Sequence, residues 1–420
     1  MRVPGIGKAL KAMLRTTAKR YVKRSVLATL QRLPQSVQLR LCCELAVILG
    51  DQAAKVAPVF LARMPAADRV LPVQEEAEKA QGVGLDFCTR ILMTLPVGER
   101  GNFLRDLMAQ ADAKPADVLM SLFNDLPRLE NVSIFQRLAS ILEVSAVEVC
   151  GANGRLTGYL RDEGVFLPYV RDRAWFWNAV EFINSIFVGR AGGTFLDIGA
   201  NIGAVVVPIA RANPSVDCFA FEPEPNNYLA LMHNIARNQV ANNVEAYQMA
   251  LADTDGAVTF ELSDSNFGDH RVRKAVRRVD APVFGETGRA TIEVGARRLD
   301  RVLIADELVR PIVGKIDVQG AEQMVLAGGE AVLREADLLI VEYWPYGMRR
   351  LGTDPAAFLN GFSKMFPFVT RLGEQPIAQS DFVPWAAMRA DLDAFAEKRT
   401  WMHLNLALCK RRPTEFARAR

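Results

Sequence analysis

Thr194-Phe-Leu-Asp-Ile-Gly-Ala-Asn-Ile-Gly203, followed by Phe219-Ala-Phe-Glu-Pro-Glu224, decides the reading of this chain. Phe195, Leu196 and Ile198 make a short apolar run, the pattern of a parallel strand buried on both faces. Asp197 interrupts the run, and a carboxylate at the end of a buried strand needs a partner. Gly199 and Gly203 let the backbone turn sharply and approach a ligand closely before a helix begins near Ala204. A second strand, Val216 to Phe221, ends at Glu222, where a carboxylate can accept both hydroxyls of a ribose. Strand, glycine turn, helix, strand and acid in this order point to S-adenosylmethionine (SAM) as cofactor. The competing reading is a nicotinamide dinucleotide, whose fingerprint is G-x-G-x-x-G. Asn201 stands where its second glycine belongs, and Asp197 would repel a pyrophosphate but suits the ammonium of a methionine moiety.

Length and composition set the frame. The 420 residues are half hydrophobic and about a quarter charged, enough for two globular domains. The net charge of +3 conceals an asymmetry, because residues 1–43 carry ten Lys or Arg and no acid. The six cysteines (42, 43, 88, 150, 218 and 409) show no C-x-x-C pair or zinc spacing. Cys218 falls inside a buried strand, which implies reduced thiols and a cytoplasmic protein. No His or carboxylate cluster has metal-ligand spacing. Leu41–Leu61 comes nearest to a membrane span, but Glu44, Asp51 and Lys55 break it. The basic N-terminus lacks the apolar core of a signal peptide, and Asn131-Val-Ser133 therefore carries little weight as a glycosylation acceptor.

Residues 1–34 form a basic amphipathic segment. Over 5–32, Ile6, Leu10, Met13, Leu14, Tyr21, Val22 and Leu27 alternate with Lys8, Lys11, Arg15, Lys19, Lys23 and Arg24. Such a helix can lie peripherally on an anionic membrane surface, or it can be a solvated arm. Residues 35–150 read as a helical domain without a single His, with clear patterns at 41–49, 85–95, 102–109, 115–123 and 133–142. Gln136-Arg-Leu-Ala-Ser-Ile-Leu-Glu-Val-Ser145 is similar to part of a helix-turn-helix, but the sparse basic residues around it disfavour nucleic acid as a partner. Residues 151–192 form a hairpin-like connector and a leading helix, Trp175 to Phe187. Residues 193–412 alternate strands and helices, and 413–420 are a tail. In such a sheet ligands bind outside the carboxyl ends of the strands, where Asp197, Glu222 and Asp317 fall.

Leu196-Asp-Ile-Gly-Ala-Asn-Ile-Gly203, Phe221-Glu-Pro223, Asn266-Phe-Gly-Asp-His270 and Lys315-Ile-Asp-Val-Gln-Gly-Ala-Glu322 together resemble the FkbM family of SAM-dependent methyltransferases. The first two motifs occur in many methyltransferases; the last two single out the family. The resemblance covers roughly Gly193 to Tyr343. It implies an α/β fold, a Rossmann-like class I methyltransferase sheet with an antiparallel strand near the C-terminus, here preceded by an all-α region. It also implies methyl transfer to a hydroxyl of a sugar, glycan or related natural product. Asp197, Gly199, Asn201 and Gly203 match the loop around the methionine end of SAM. Glu222 matches the ribose acid, Pro223 the floor beside the adenine, and Asp253 the adenine edge, although Asp253-Thr-Asp-Gly256 equally makes a turn.

Asp317 is the catalytic candidate on the acceptor side, able to orient a hydroxyl and take its proton, or alternatively a helix cap. His270 is a second candidate base, in a polar, Arg-containing stretch from Ser263 to Arg278 that suits a lid. Asp269, Gln319, Glu322 and Glu342 are candidate acceptor-pocket residues, with Glu322 equally able to support a helix start. His233 and His403 read as structural. Gln319 departs from the family pattern, where Glu is usual, and exchanges a charge for a donor. The alternative from another class is a non-catalytic SAM-binding scaffold; a nicotinamide oxidoreductase is the third reading.

Overall fold

The computed structural model describes residues 144–273, 288–373, 375, 377, 381–398 and 402–411. The basic segment 5–32, the helical patterns between 35 and 142, the far end of the expected lid and the tail from 413 lie outside the described residues. The chain divides into units 1–144 and 145–420, and the second is described here.

It opens with a hairpin, β1 (Ala146–Gly151) and β2 (Gly154–Tyr159). The pairing thus starts before the connector expected from 151, because Val147 and Val149 alternate inward with Glu148. Two helices follow, α1 (Phe166–Asp172) and α2 (Trp177–Phe187). Then come β3 (Gly193–Ile198), α3 (Val206–Ala212), β4 (Val216–Phe221), α4 (Pro225–Arg237) and β5 (Val244–Tyr247). Glu224 caps α4 by accepting from Asn227 N–H at 2.7 Å, and Pro225 occupies the first turn, where its missing donor costs nothing.

Next in the chain are β6 (Ala250–Leu251), β7 (Gly256–Glu261), β8 (Arg271–Val272), β9 (Thr291–Arg297) and α5 (Leu299–Val302). They are followed by β10 (Ile312–Ile316), α6 (Glu322–Gly328), α7 (Glu330–Glu335), β11 (Leu338–Tyr343) and α8 (Pro345–Arg350). The last elements are α9 (Pro355–Met365), β12 (Phe368–Leu372), β13 (Val383–Pro384), α10 (Trp385–Lys398) and β14 (Leu404–Cys409).

Among the described residues the main sheet runs β13-β12-β14-β11-β10-β3-β4-β5. The strands β11, β10, β3, β4 and β5 are mutually parallel, whereas β14 runs antiparallel to both its neighbours. The expected antiparallel strand is therefore present, inserted between β11 and β12 rather than closing the edge. Every residue of β3, β10 and β11 is buried, which explains why these strands read as apolar runs. A smaller sheet, β6-β9-β7-β8, packs its own core of Phe260, Val272, Val294 and Ala296. The helix expected to run on to Leu333 breaks into α6 and α7 at Gly328 and Gly329. A methyl on Gly328 would come 1.8 Å from the Ala252 carbonyl oxygen. Among the described residues no helix is long and apolar enough to cross a membrane.

Asp162 joins the start of this unit to the 263–270 loop. It is 1% exposed, and its Oδ1 accepts from the backbone N–H of Gly164, Val165 and Phe267 while Oδ2 accepts from Phe166. One carboxylate thereby starts α1 and ties down the 263–270 loop. Asp162→Ala should orphan four backbone donors and cost about 2–4 kcal/mol in chemical denaturation. Hydrogen exchange at Phe267 and Val165 should rise together in this variant.

Candidate active site

The cradle begins where β3 turns into α3. Gly199, Asn201 and Gly203 take φ of 82°, 51° and 86°, a left-handed path that glycine and asparagine tolerate best. Gly199 and Ala200 N–H both donate to the Phe221 carbonyl, at 3.0 and 2.9 Å, so the turn is sewn to the end of β4. Asn201 N–H donates to Glu222 Oε2 at 2.8 Å, and Glu224 N–H donates to Oε1 at 2.9 Å. Each Glu222 oxygen accepts one backbone donor and keeps a lone pair for another. Burial, with the nearby Glu224 charge helping, pushes the Glu222 carboxyl up to about 7.

Strand register builds the second part. β3 and β10 pair Asp197 with Lys315. Lys315 is 3% exposed; its Nζ donates to the Gly199 carbonyl at 3.0 Å and lies 3.4 Å from Asp197 Oδ1 and 3.5 Å from Asp317 Oδ2. Burial alone would lower this ammonium, but the Asp317 and Asp197 charges outweigh it and hold its pKa up. Asp317 follows β10 directly, and Gln319 Nε2 donates both to Asp317 Oδ1 at 2.8 Å and to Glu342 Oε2 at 3.0 Å.

These parts face one cavity of about 370 Å³ at the carboxyl ends of the strands. Gly199, Asn201, Glu222 and Pro223 line one side of it; Asp317, Gln319, Glu342 and His270 also line it. Other expected residues sit behind its wall. Asp197 is fully buried, its Oδ2 accepting from Val206 N–H at 3.1 Å and its Oδ1 facing Lys315, so it supports the turn instead of meeting a ligand ammonium. Gly203 shapes the turn and does not line the cavity. Asp253 is absent from the lining, its carbonyl accepting from Arg298, while Met249, Ala250 and Leu251 provide that wall. Asp269 is bound by Arg271 and Arg289. Glu322, 0% exposed, accepts from Val318 and Gly320 N–H at 3.1 Å each and braces the turn that carries Gln319.

The cavity also has walls that the motifs did not announce. Trp175 and Phe176 line it, as do Asn227 and Asn405, beside Phe267 of the Asn266–His270 motif. Asn227 Nδ2 donates to the Phe267 carbonyl at 3.2 Å, and its buried Oδ1 has no donor among the described residues. His403, read as structural, lies just before β14, lines the cavity and places Nδ1 3.9 Å from Glu342 Oε1.

His270 has the opposite polarity from the one expected of a base. Its Nδ1 accepts from Ser263 N–H at 3.0 Å, and its ring stacks on Phe267 at 5.2 Å. Burial and the Arg289 charge hold it down at about 4, so the ring is neutral near pH 7. With Nδ1 occupied as an acceptor, the proton belongs on Nε2, and the ring is a hydrogen-bond donor.

The sheet order and the glycine cradle define the class: a Rossmann-like sheet of the class I methyltransferase type, with its site at the carboxyl ends of the strands. Residues 197–373 match the family described as the methyltransferase FkbM domain. Methyltransferase sdnD of Sordaria araneosa is 30% identical over 177 residues, covering 37% of this chain and 68% of that protein. The 31-O-demethyl-FK506 methyltransferase FkbM of Streptomyces tacrolimicus is 29% identical over 178 residues, covering 38% and 65%. The 2-O-methyltransferase NoeI of Sinorhizobium fredii is 26% identical over 166 residues, covering 35% and 62%. The chain belongs to the FkbM methyltransferase family and is a SAM-dependent methyltransferase.

The His270 assignment has a direct check. Nitrogen-15 NMR should show the Nε2–H tautomer at pH 7 and titration near 4 instead of 6.5. Because the native value lies below the unfolded one, His270 should remove stability as pH falls from 6.5 towards 4, by up to about 3 kcal/mol. The loss should vanish in His270→Gln.

Proposed function

We propose that the protein methylates a hydroxyl of a sugar, glycan or related natural product, with SAM as donor. The observation that carries this reading is one cavity lined by both the Glu222 cradle and the Asp317–Glu342 carboxylates. The names of two relatives, a 31-O-demethyl-FK506 methyltransferase and a 2-O-methyltransferase, support oxygen as the acceptor atom.

The residues present fit the cofactor. Glu222 would take the ribose hydroxyls on its free lone pairs, and Asn227 Oδ1 offers an unused acceptor in the same wall. The Gly199–Gly203 turn would hold the methionine end, and Pro223 with Met249–Leu251 would flank the adenine. When bound, SAM supplies a methyl group activated on a sulfonium. Asp317 would orient the acceptor hydroxyl and take its proton as the oxygen gains the methyl and S-adenosylhomocysteine departs. Glu342 would accept from a second hydroxyl, and neutral His270 would donate from Nε2. Asp197 and Lys315 hold the turn and Asp317 in register, with no direct part in the transfer.

Carried by the sequence alone, the proposal extends to the division into 1–34, 35–150, 151–192, 193–412 and 413–420. It also includes a cytoplasmic location, peripheral membrane contact through residues 5–32, and a small-molecule or glycan acceptor as partner rather than nucleic acid.

Glu222 supplies the first test. Ribose hydroxyls favour the ionised carboxylate, so S-adenosylhomocysteine affinity should fall as pH drops through about 7. One pH unit lower, calorimetry should find binding about tenfold weaker. Glu222→Gln should bind roughly ten- to a hundredfold less tightly at pH 8 and lose this pH dependence. An affinity unaffected by the substitution would remove Glu222 from the cofactor site. Asp317→Asn should retain S-adenosylhomocysteine binding while kcat on a neutral glycoside acceptor falls by roughly 10²–10⁴. Unchanged turnover would exclude Asp317 as the proton acceptor.

A further inference from the structure

Residue 319 carries a long side chain where glycine would be easier to accommodate. Its φ is 56°, a left-handed conformation that is strained for a non-glycine residue. Gly320 follows at φ 98°, and a methyl there would lie 2.5 Å from the Gly347 backbone, so the turn has no room to relax. Glu322 braces it from beneath through the N–H groups of Val318 and Gly320.

The strain fixes the direction of the Gln319 amide. Nε2 reaches Asp317 Oδ1 at 2.8 Å and Glu342 Oε2 at 3.0 Å, which uses both of its protons. A buried carboxylate, Glu342, and a partly exposed one, Asp317, thus meet on one uncharged donor. Without that donor, their repulsion would be relieved only by a proton or a cation. Burial and the charges of Asp317 and Glu322 already push Glu342 well above the usual carboxylate range, and the Gln319 hydrogen bond opposes that rise.

We propose that Gln319 is a positioning residue for methyl transfer: its amide holds Asp317 and Glu342 side by side so that both can accept from acceptor hydroxyls. This rests on the reading that the acceptor occupies this end of the cavity. Among the described residues the second oxygens, Asp317 Oδ2 and Glu342 Oε1, have as neighbours only Lys315 Nζ at 3.5 Å and His403 Nδ1 at 3.9 Å. They can serve two neighbouring hydroxyls. The acceptor chemistry that follows is an uncharged polyol; a carboxylate or phosphate beside this pair would add like charge.

The test compares wild type with Gln319→Glu and Gln319→Met, near-isosteric changes that remove both donors. Gln319→Asn is the third variant, suited to left-handed backbone but one carbon too short to span both carboxylates. Carboxyl carbon-13 NMR, assigned with Glu342→Gln and Asp317→Asn, reads the titration without any acceptor. The Glu342 carboxyl should titrate about one pH unit or more higher in all three variants. S-adenosylhomocysteine affinity at pH 8 should stay at the wild-type value. With a neutral glycoside acceptor, KM should rise and the acid limb of kcat/KM should move up with the Glu342 titration. A Glu342 titration unmoved in any folded variant overturns the positioning role. Wild-type protein that fails to bind S-adenosylhomocysteine would instead overturn the methyl-transfer reading, a result the carboxyl titration does not share.

Discussion

The site depends on one buried ammonium. Lys315 lies between Asp197 and Asp317 and donates to the Gly199 carbonyl, so a single cation joins strand β3, the glycine turn and the Asp317 wall of the cavity. The register of β3 against β10 sets Lys315 opposite Asp197, so the backbone pairing itself brings the two together. Removing either member of such a pair exposes the other to the full cost of an unpaired buried charge. The pair therefore acts less as a source of stability than as a constraint. Whatever positions Asp197 also positions the turn, and whatever positions the turn also positions Asp317.

Charge bookkeeping around Lys315 explains the rest of the wall. Its ammonium is already shared between two carboxylates, and Glu342 and Glu322 stand close enough to feel Asp317. Each acid is handled differently. Glu322 accepts from two backbone N–H groups on Oε1 alone, and burial pushes it up to about 7. Glu342 shares the Gln319 amide with Asp317. Glu222, beside the glycine turn, relies on backbone donors as well. An acid-rich cavity is thus assembled largely from neutral donors, which leaves carboxylate lone pairs available to hydroxyl groups.

Legibility in the sequence follows burial. Strands enclosed on both faces, β3, β10 and β11, announce themselves as apolar runs, and the acids and turn at their ends stand out against them. β9 exposes every second residue and interrupts its pattern with Gly295, so no run marks it. Among site residues, Glu222, Asp317, Gln319 and Glu342 were legible because their strands fix where their side chains emerge. Asp269 was not, since nothing local reveals that Arg289 will bind it, whereas Glu322 keeps the structural alternative its place before a helix offered, accepting from two backbone amides of its own turn. Lys315 reads as one letter of a motif, and its partner Asp197 is supplied by a strand far away in sequence. His270 misleads for a similar reason: the N–H that sets its tautomer belongs to Ser263, across the loop's own turn.

That loop also shows why the glycine-turn side and the Asp317 side of the cavity are not independent. The Phe267 carbonyl accepts from Asn201 in the glycine turn and from Asn227 on α4, while its N–H is held by Asp162. Its ring stacks on His270, which faces the cavity. Residues 263–270 are consequently fastened to the cradle and do not hang over it as a separate lid. On the opposite wall, a methyl on Gly199 would come 1.9 Å from the Asp317 carbonyl, so the two left-handed turns, 199–203 and 319–320, abut through backbone. Contact between atoms that have no rotamers cannot be absorbed by side-chain movement. A displacement of the glycine turn must reach Asp317, and through Gln319 it must reach Glu342. The geometry of both cavity walls is set by the same few backbone contacts.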